Sequence, residues 1–300
     1  MGCVQGMMMR KALQQSLVPV LAVIAVIVAI WYIACVPMNS AWTAQQLERS
    51  GGTMTVTEHI ADTWSQERPR LPSPHQVGAE LWKSTIAMKP SSKRSLIYHG
   101  KITLTATMLG FAIGTGLGIL LAVGIVHSRA MDMSVMPWAI VSQTIPIIAI
   151  APMIIVVLYS IGVQGTLPKA IISAYLSFFP VVVGMVKGLR SPDAMQLDLL
   201  QTYHASKSQS FWKLRLPASM PYLFTSLKIG VAASLVGAIV GELPTGAVRG
   251  LGARLLSGSY YGQTVQIWSA LFAAALLAAA LVAIISLIER IVLKRMGVAA

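Results

Sequence analysis

Long stretches without a charged residue constrain this chain more than any other feature of its sequence. Residues 17–36 (LVPVLAVIAVIVAIWYIACV) and residues 102–126 contain no charge at all. A helix needs about 20 apolar residues to cross the hydrocarbon core of a bilayer. The whole chain is 55% hydrophobic and 11% charged, whereas a soluble domain carries about 25% charged residues. The sequence therefore predicts an all-α, polytopic membrane protein whose outer surface faces the lipid bilayer.

The apolar runs, and the Gly and Pro residues between them, predict six transmembrane helices. We place these helices at 17–36, 102–126, about 133–160, 170–186, 219–241 and 265–287. The first run is longer than the ~7–15 residues of a signal-peptide core, so we interpret it as an uncleaved span. The corresponding division of the chain is an N-terminal segment 1–15, a first transmembrane helix 16–37, a loop 38–101, a five-helix domain 102–292 and a tail 293–300.

The net charge of +13, from 23 Lys and Arg against 10 Asp and Glu, orients the chain. No basic run is interleaved with aromatic residues, so nucleic acid is not predicted as a partner. Basic residues gather instead in short cytoplasmic loops, which predicts that both termini and residues 187–218 are cytoplasmic. The loop 38–101 is long enough to translocate despite its charges, so we place it outside. Within it we predict a short surface helix at 75–88.

The segment 187–218 is predicted to be folded rather than a plain tether. Ser191 is a candidate N-cap for a helix over 191–203, with Pro192 at its first position. A turn near His204 then leads to a second helix over 206–214.

The second helix carries Phe211 and Trp212 beside lysines, and Leu216-Pro217 is predicted to end it because proline lacks a backbone donor. Two interpretations of these aromatic residues stay open. The helix docks into a groove on a partner protein, or it lies on the membrane surface with its aromatic rings among headgroups and its lysines on anionic lipid.

The stretch 198–224 (DLLQTYHASKSQSFWKLRLPASMPYLF) resembles the EAA loop of binding-protein-dependent ABC importer permeases. The pattern of that family is Glu-Ala-Ala, three residues, Gly, nine residues and Ile-x-Leu-Pro. Aligned on the Leu-Pro pair, the positions of the pattern fall on Asp198, Leu199, Leu200, His204, Leu214, Leu216 and Pro217. The spacing matches, but histidine replaces the glycine that supplies a left-handed turn at low cost. Histidine is enriched among non-glycine residues in that conformation, so the turn remains possible.

Further stretches at 71–74 (LPSP), 105–125, 143–162 and 227–243 are similar to the nitrate/sulfonate/taurine-type branch of that family. The resemblance covers about residues 71–295. It implies a type I importer permease of a bacterial inner membrane, with the loop 38–101 in the periplasm and residues 187–218 as the coupling loop. The coupling residues that it implies are Asp198, His204, Ala205, Ser206, Lys207, Phe211, Trp212, Leu216 and Pro217.

The resemblance also implies the partners. A second permease subunit, identical or different, completes the pathway, two ATPase subunits bind the coupling loops, and a periplasmic solute-binding protein delivers a small polar solute. The chain has no G-x-x-x-x-G-K-[ST] loop, so ATP would be bound by the ATPase and this chain would need no cofactor.

The residues do not predict an enzyme, because no Ser/His/Asp arrangement, paired carboxylates or metal-ligand spacing is readable. The alternative to an ABC permease is an ion-coupled secondary transporter that acts as a dimer. Ion coupling would place carboxylates or histidines in mid-span, and the predicted spans have almost none.

Three polar residues are candidates for the solute pathway, since polar groups inside a bilayer are costly. Glu242, at the outer end of the fifth predicted helix, either lines the pathway or the face for the binding protein, or pairs at the membrane interface with Arg249 or Arg254. Gln143 and Thr144 precede two helix-kinking prolines, and they either line a cavity or pack between helices.

Two further expectations concern helix packing. Gly110, Gly114 and Gly118 form overlapping GxxxG pairs, which we interpret as contacts within the chain. Lys228, near the inner end of the fifth predicted helix, is expected to extend its ammonium group to the headgroups.

Overall fold

The computed structural model describes residues 2–51, 53–244 and 249–297, with only the backbone of residues 2–16 and of Ser50. The helices are α1 Gly2–Ser50, α2 Val56–Ser65, α3 Pro74–Trp82, α4 Leu96–His127, α5 Arg129–Ser142, α6 Ile147–Ser160, α7 Thr166–Leu189, α8 Ala194–Thr202, α9 Lys207–Ser210, α10 Leu216–Glu242, α11 Leu251–Tyr260 and α12 Thr264–Arg295. Two π-helical turns, Lys83–Ala87 and Phe211–Arg215, follow α3 and α9. No strand occurs in these described ranges, and the all-α prediction is confirmed.

Among the described residues, five helices are long and apolar enough to cross a membrane, and the number is six if the bent pair α5 and α6 forms one span. That pair corrects the predicted single helix over 133–160. Residues 143–146 break it, and the two halves are bent by 102°. Pro146 explains the break, because its ring fixes its backbone and it has no N–H to donate to the preceding turn.

The chain folds as two compact units. The first contains the residues up to Ala87 together with Gly258–Ser269, and the second contains Met88–Ser257 and the residues from Ala270 onward. In the first unit, α1 continues to Ser50, past the predicted boundary at 37. The loop 38–101 is therefore mostly helical, and the predicted helix at 75–88 is confirmed by α3 and its π-helical turn.

Asn39 organises the first unit. Its buried side-chain amide donates to the carbonyl oxygens of Thr63 and Leu71, both at 2.9 Å. Its Oδ1 accepts from the backbone N–H groups of Arg70 and Leu71 at 2.9 and 3.1 Å. One polar side chain thus satisfies four backbone groups and holds the segment between α2 and α3 against α1.

The helix α2 begins with a capping box. The backbone N–H and the hydroxyl of Thr55 donate to the Glu58 carboxylate at 2.8 and 2.7 Å. These hydrogen bonds lower the pKa of Glu58, because they favour its charged form.

In the second unit, α4, α7 and α10 pack through small residues. Gly110, Gly114 and Gly118 of α4 face α7 so closely that a Cβ at any of them would clash. The interpretation of the GxxxG pairs as contacts within the chain is therefore confirmed. The Ser173 hydroxyl of α7 donates to the Ser234 carbonyl oxygen of α10 at 2.5 Å, so the close approach also allows hydrogen bonds between helices.

We expect Gly237→Ala to destabilise this helix contact. A Cβ at Gly237 would lie 2.7 Å from Ser173 Cα and 3.0 Å from the Ile172 carbonyl oxygen, both backbone atoms of α7. Overpacking of this kind costs about 1–3 kcal/mol. The control is Gly116→Ala in α4, where the added Cβ meets no atom within 4 Å. Thermal unfolding in detergent should show a lower Tm for Gly237→Ala only, and equal Tm values would contradict the contact.

Lys228 forms an ion pair within the second unit. Its Nζ lies 2.7 Å from Glu289 Oε2 of α12, a partner that the sequence did not predict. An ammonium group on a membrane helix is stabilised when it pairs with a carboxylate of a neighbouring helix. The pair joins α10 to α12 beside a cluster of apolar side chains that includes Phe224 and Ile285.

Candidate functional site

The coupling loop, residues 187–218, contains α8, α9 and a π-helical turn. The N-cap of α8 is Asp193, not the predicted Ser191. Asp193 has extended backbone angles and forms a capping box with Gln196, whose Oε1 accepts from the Asp193 N–H at 3.3 Å. The Ser191 hydroxyl instead donates to the Gly188 carbonyl oxygen at 2.7 Å. It therefore satisfies a carbonyl group at the end of α7.

His204 occupies a left-handed turn, the conformation that the resemblance to the EAA loop implies at this position. Its φ is +51°, and it is the only non-glycine residue with positive φ in the described part of the chain. The Ala205 N–H donates to the Leu200 carbonyl oxygen at 2.9 Å, and the His204 N–H donates to that of Gln201 at 2.8 Å. These two bonds form a Schellman motif, the helix ending in which glycine usually takes this position.

We expect His204→Gly to stabilise the coupling loop. A non-glycine residue in the left-handed conformation costs about 1–2 kcal/mol, and the exposed imidazole has no packing to compensate. The measurement is limited proteolysis of residues 198–210, together with solute uptake. Cleavage should slow while uptake persists, and His204→Val should have the opposite effect on cleavage because β-branched residues rarely adopt positive φ. A severe loss of uptake in His204→Gly would instead show that the imidazole makes a specific contact.

The helix α9 continues through the π-helical turn into α10. Ser206 caps it, accepting from the Gln209 N–H at 3.2 Å. In the π-helical turn, the Leu216 N–H donates to the Phe211 carbonyl oxygen, five residues back. Pro217 lies in the first turn after this change of register, where proline is tolerated. The predicted end at Leu216-Pro217 is therefore wrong, and residues 207–242 form one helix of 36 residues.

The two aromatic residues of the coupling loop have different environments. Trp212 is 64% exposed, as predicted. Phe211 is half-buried and packs against the apolar cluster around Ile125 and Val182. Its ring also makes an edge contact with His127, with centroids 5.2 Å apart. Phe211 therefore holds the loop to the transmembrane helices, and only Trp212 is available to a partner.

The remaining predicted coupling residues also include both half-buried and exposed side chains. Ala205, Leu216 and Pro217 are half-buried, whereas Asp198, Ser206 and Lys207 are exposed. Three apolar side chains on α8 and its C-cap are also exposed, namely Met195, Leu199 and Tyr203. Together with Trp212 they give the loop an unusually apolar exposed surface for a segment rich in polar residues.

Gln143 and Thr144 lie in the break between α5 and α6, and both are exposed. The Thr144 hydroxyl donates to the Val141 carbonyl oxygen at 2.8 Å. Neither residue is packed between helices in this chain. An apolar cavity of about 240 Å³, lined by residues such as Ile148 and Val240, lies between α6 and the end of α10.

Glu242 is 0% exposed, so it is not a solvated carboxylate at the membrane interface. The Thr103 hydroxyl lies 3.0 and 3.1 Å from its two oxygens. The Gly252 N–H donates to Oε2 at 2.8 Å. Its cationic neighbour is Lys169 Nζ at 3.9 Å, whereas the sequence pointed to Arg249 or Arg254. The carboxylate thus links α4, α7, α10 and the start of α11.

Sequence reasoning missed the partners of Glu242. Thr103 is 139 residues away in the chain, and nothing in its surroundings distinguishes it from other threonines in α4. His99 belongs to the same network, since its Nδ1 accepts from the Gly250 N–H at 3.0 Å. Lys169 alone left a signal, because it and Glu242 are single charges at the predicted outer ends of two apolar spans.

Comparison with known proteins identifies the family. Residues 114–298 match the family described as the binding-protein-dependent transport system inner membrane component. A formylaminopyrimidine transport permease of Halalkalibacterium halodurans is 35% identical over 182 residues, which is 61% of this chain and 68% of that protein. A riboflavin transport system permease of Chloroflexus aurantiacus is 29% identical over 224 residues, or 75% and 80% of the two chains. A probable ABC transporter permease of Haemophilus influenzae is 29% identical over 221 residues, or 74% and 85%.

Permeases named for aliphatic sulfonates, from Bacillus subtilis, and for nitrate import, from a Synechocystis strain, match at 25% and 28% identity. They cover 66% and 61% of this chain, and 70% and 66% of their own lengths. The resemblance to this branch is therefore confirmed. The chain belongs to the inner-membrane components of binding-protein-dependent transport systems, and it is a permease subunit of an ABC import system, not an enzyme.

Proposed function

We propose that this chain forms a solute pathway with a second permease subunit, the same or different, and couples it to two ATPase subunits through the coupling loop. The ATPase binds ATP, and this chain needs no cofactor for its part. Both termini and the coupling loop are cytoplasmic in this arrangement, and the helices α2 and α3 lie in the periplasm.

The observation that carries the proposal is the continuous helix of residues 207–242. One end of this helix bears the exposed Trp212 and Lys207, and the other end bears the buried Glu242. A helix transmits an axial or tilting force because its backbone hydrogen bonds resist compression. Movement of an ATPase subunit bound at Trp212 would therefore move α10 directly, without a flexible joint between the docking surface and the membrane span.

The pathway is proposed to pass the break between α5 and α6. A lipid-exposed break is not tolerated within the hydrocarbon region, since its free backbone groups need protein or water. Gln143 and Thr144 are exposed in the single chain. We therefore place this break against the aqueous pathway and the second subunit. Glu242 is enclosed in the conformation described here, so it would meet solute only after α10 moves.

A periplasmic solute-binding protein is proposed to deliver a small polar solute. The relatives are named for formylaminopyrimidine, riboflavin, sulfonates and nitrate, which are neutral heterocycles or small anions. The exposed groups at the break are an amide and a hydroxyl, which donate and accept hydrogen bonds. Such a lining suits either kind of solute and does not require a charged one.

The test is co-expression of this chain with candidate ATPase subunits. We expect a complex to purify and ATP to drive uptake into vesicles supplied with the solute-binding protein. Uptake that persists in ATP-depleted vesicles, with no ATPase subunit bound, would contradict the proposal and favour the ion-coupled alternative. A Gln143→Ala, Thr144→Val variant should assemble normally but transport more slowly.

A further inference from the structure

A cavity of about 330 Å³ lies between the C-terminal end of α4 and the coupling loop. Three basic side chains line it, namely His127, Lys207 and Arg215. Leu197 and Leu200 supply part of an apolar wall. The volume falls in the range of about 300–1,000 Å³ that is usual for small-molecule sites. The proposed solute pathway uses none of these side chains, although Lys207 also belongs to the proposed coupling residues.

The charge of this cavity is uncompensated. No Asp or Glu lines it, and none of its three basic residues has a carboxylate within 4.0 Å among the residues that the structure describes. The Arg215 guanidinium makes one long bond, from Nη1 to the Leu189 carbonyl oxygen at 3.5 Å, so most of its five N–H donors remain for another partner. A concave surface with a single sign of charge concentrates the potential of that sign.

We propose that this cavity binds a phosphate-bearing anion, supplied either by a phospholipid headgroup or by free phosphate. Arginine and lysine form charge-assisted hydrogen bonds with phosphate oxygens, and arginine does so with two donors at once. Gln201 and Ser210 also line the cavity and offer neutral donors to the remaining oxygens. Basic pockets beside transmembrane helices at the cytoplasmic surface bind anionic headgroups in this way.

Binding here would attach the coupling loop to the transmembrane helices. The walls come from α4, α8, α9 and the π-helical turn, and the anion would bridge basic groups on opposite walls. The occupied cavity would therefore hold the loop in its present position against α4. This consequence for transport rests on the proposed function, whereas binding itself does not.

The experiment uses the full-length permease in lipid nanodiscs. In the first arm, native mass spectrometry counts phosphatidylglycerol retained against phosphatidylcholine from an equimolar mixture. In the second arm, inorganic phosphate is titrated into pure phosphatidylcholine nanodiscs and the Tm is followed. Lys207→Gln removes one basic group of the cavity, and Lys213→Gln is its control, since Lys213 is an exposed lysine of the same loop outside the cavity.

We expect Lys207→Gln to weaken anion binding about fivefold and Lys207→Gln with Arg215→Gln about 25-fold, since each cation near an anionic surface contributes a factor of about five. Lys213→Gln should bind as the wild type does. Preferential retention of phosphatidylglycerol identifies a headgroup site. A saturable rise of Tm with phosphate, without lipid preference, identifies a site for free phosphate. In both cases the double variant should lose the effect while eluting as a monodisperse protein.

The proposal is overturned if wild type and the double variant behave alike in both arms. It is also overturned if added ATPase subunit displaces phosphatidylglycerol, since the cavity would then belong to the ATPase interface. Co-purification of the ATPase subunit is measured separately on the same variants. A permease that retains phosphatidylglycerol but binds no ATPase subunit would contradict the proposed coupling and leave this site intact.

Discussion

Replacing Glu242 by alanine is expected to destabilise the permease more than any other single change in its membrane helices. The substitution leaves the ammonium group of Lys169 buried without its carboxylate at 3.9 Å, and it leaves the Gly252 N–H without its acceptor at 2.8 Å. Breaking a buried ion pair by removing one partner costs about 3–5 kcal/mol. Thermal unfolding in detergent should therefore show a large fall in Tm, and less protein should be recovered from the membrane.

Two further variants separate the charge of Glu242 from its hydrogen bonds. Glu242→Gln keeps one acceptor oxygen for Thr103 and Gly252 and loses the charge and the second acceptor oxygen, so its fall in Tm should be smaller than that of alanine. Adding Lys169→Met to Glu242→Gln removes the uncompensated cation and should recover part of the loss. If Glu242→Ala unfolds at the wild-type temperature, the carboxylate does not hold these elements together.

Replacing Trp212 by alanine is expected to uncouple transport from ATP hydrolysis and leave the fold unchanged. Trp212 is the most exposed large aromatic side chain of the described helix 207–242, and exposed tryptophans with a partner are frequent interaction hot spots. Truncating a hot spot costs about 2 kcal/mol or more, which corresponds to about thirtyfold in affinity. ATPase-subunit binding and ATP-driven uptake should both fall, while Tm stays constant.

Phe211→Ala provides the contrast. Because Phe211 packs against the apolar cluster around Ile125, its removal should lower Tm by the cost of a partly filled cavity as well as impair transport. Trp82→Ala is the matched control for exposure, since Trp82 of α3 is 63% exposed against 64% for Trp212, and it should affect neither ATPase binding nor Tm. Unchanged uptake in Trp212→Ala would favour the interpretation in which this ring lies among lipid headgroups.

Three features of the helices show which sequence patterns predict local structure and which do not. The turn at His204 was predictable because a Schellman motif is formed by residues within one helix end. The sequence predicted one helix where α5 and α6 are bent by 102° at residues 143–146. Proline in a transmembrane helix is compatible with either a kink or a break, so the pattern did not decide between them. The continuation through Pro217 was missed because a π-helical turn depends on how the flanking residues pack.

The coupling loop likewise has features that the sequence indicated and features that only the packing shows. The resemblance to the EAA loop placed Trp212 and Lys207 among the coupling residues, and both are exposed. It did not distinguish Phe211 from Trp212, because two adjacent aromatic residues have the same local pattern. Only the cluster around Ile125 decides that Phe211 turns inward.

The sequence by itself determined the membrane class and the helical fold, because transfer of apolar residues into lipid is additive along a helix and needs no knowledge of distant contacts. It also indicated the family, through the EAA-like stretch 198–224. The tertiary structure alone decided that Glu242 is enclosed with Thr103 and Lys169. It also decided that His127, Lys207 and Arg215 surround one cavity. A buried charge must be paired or hydrogen-bonded, and its partners are the groups that helix packing places beside it. That packing depends on all the helices together, so the partners cannot be read from local sequence.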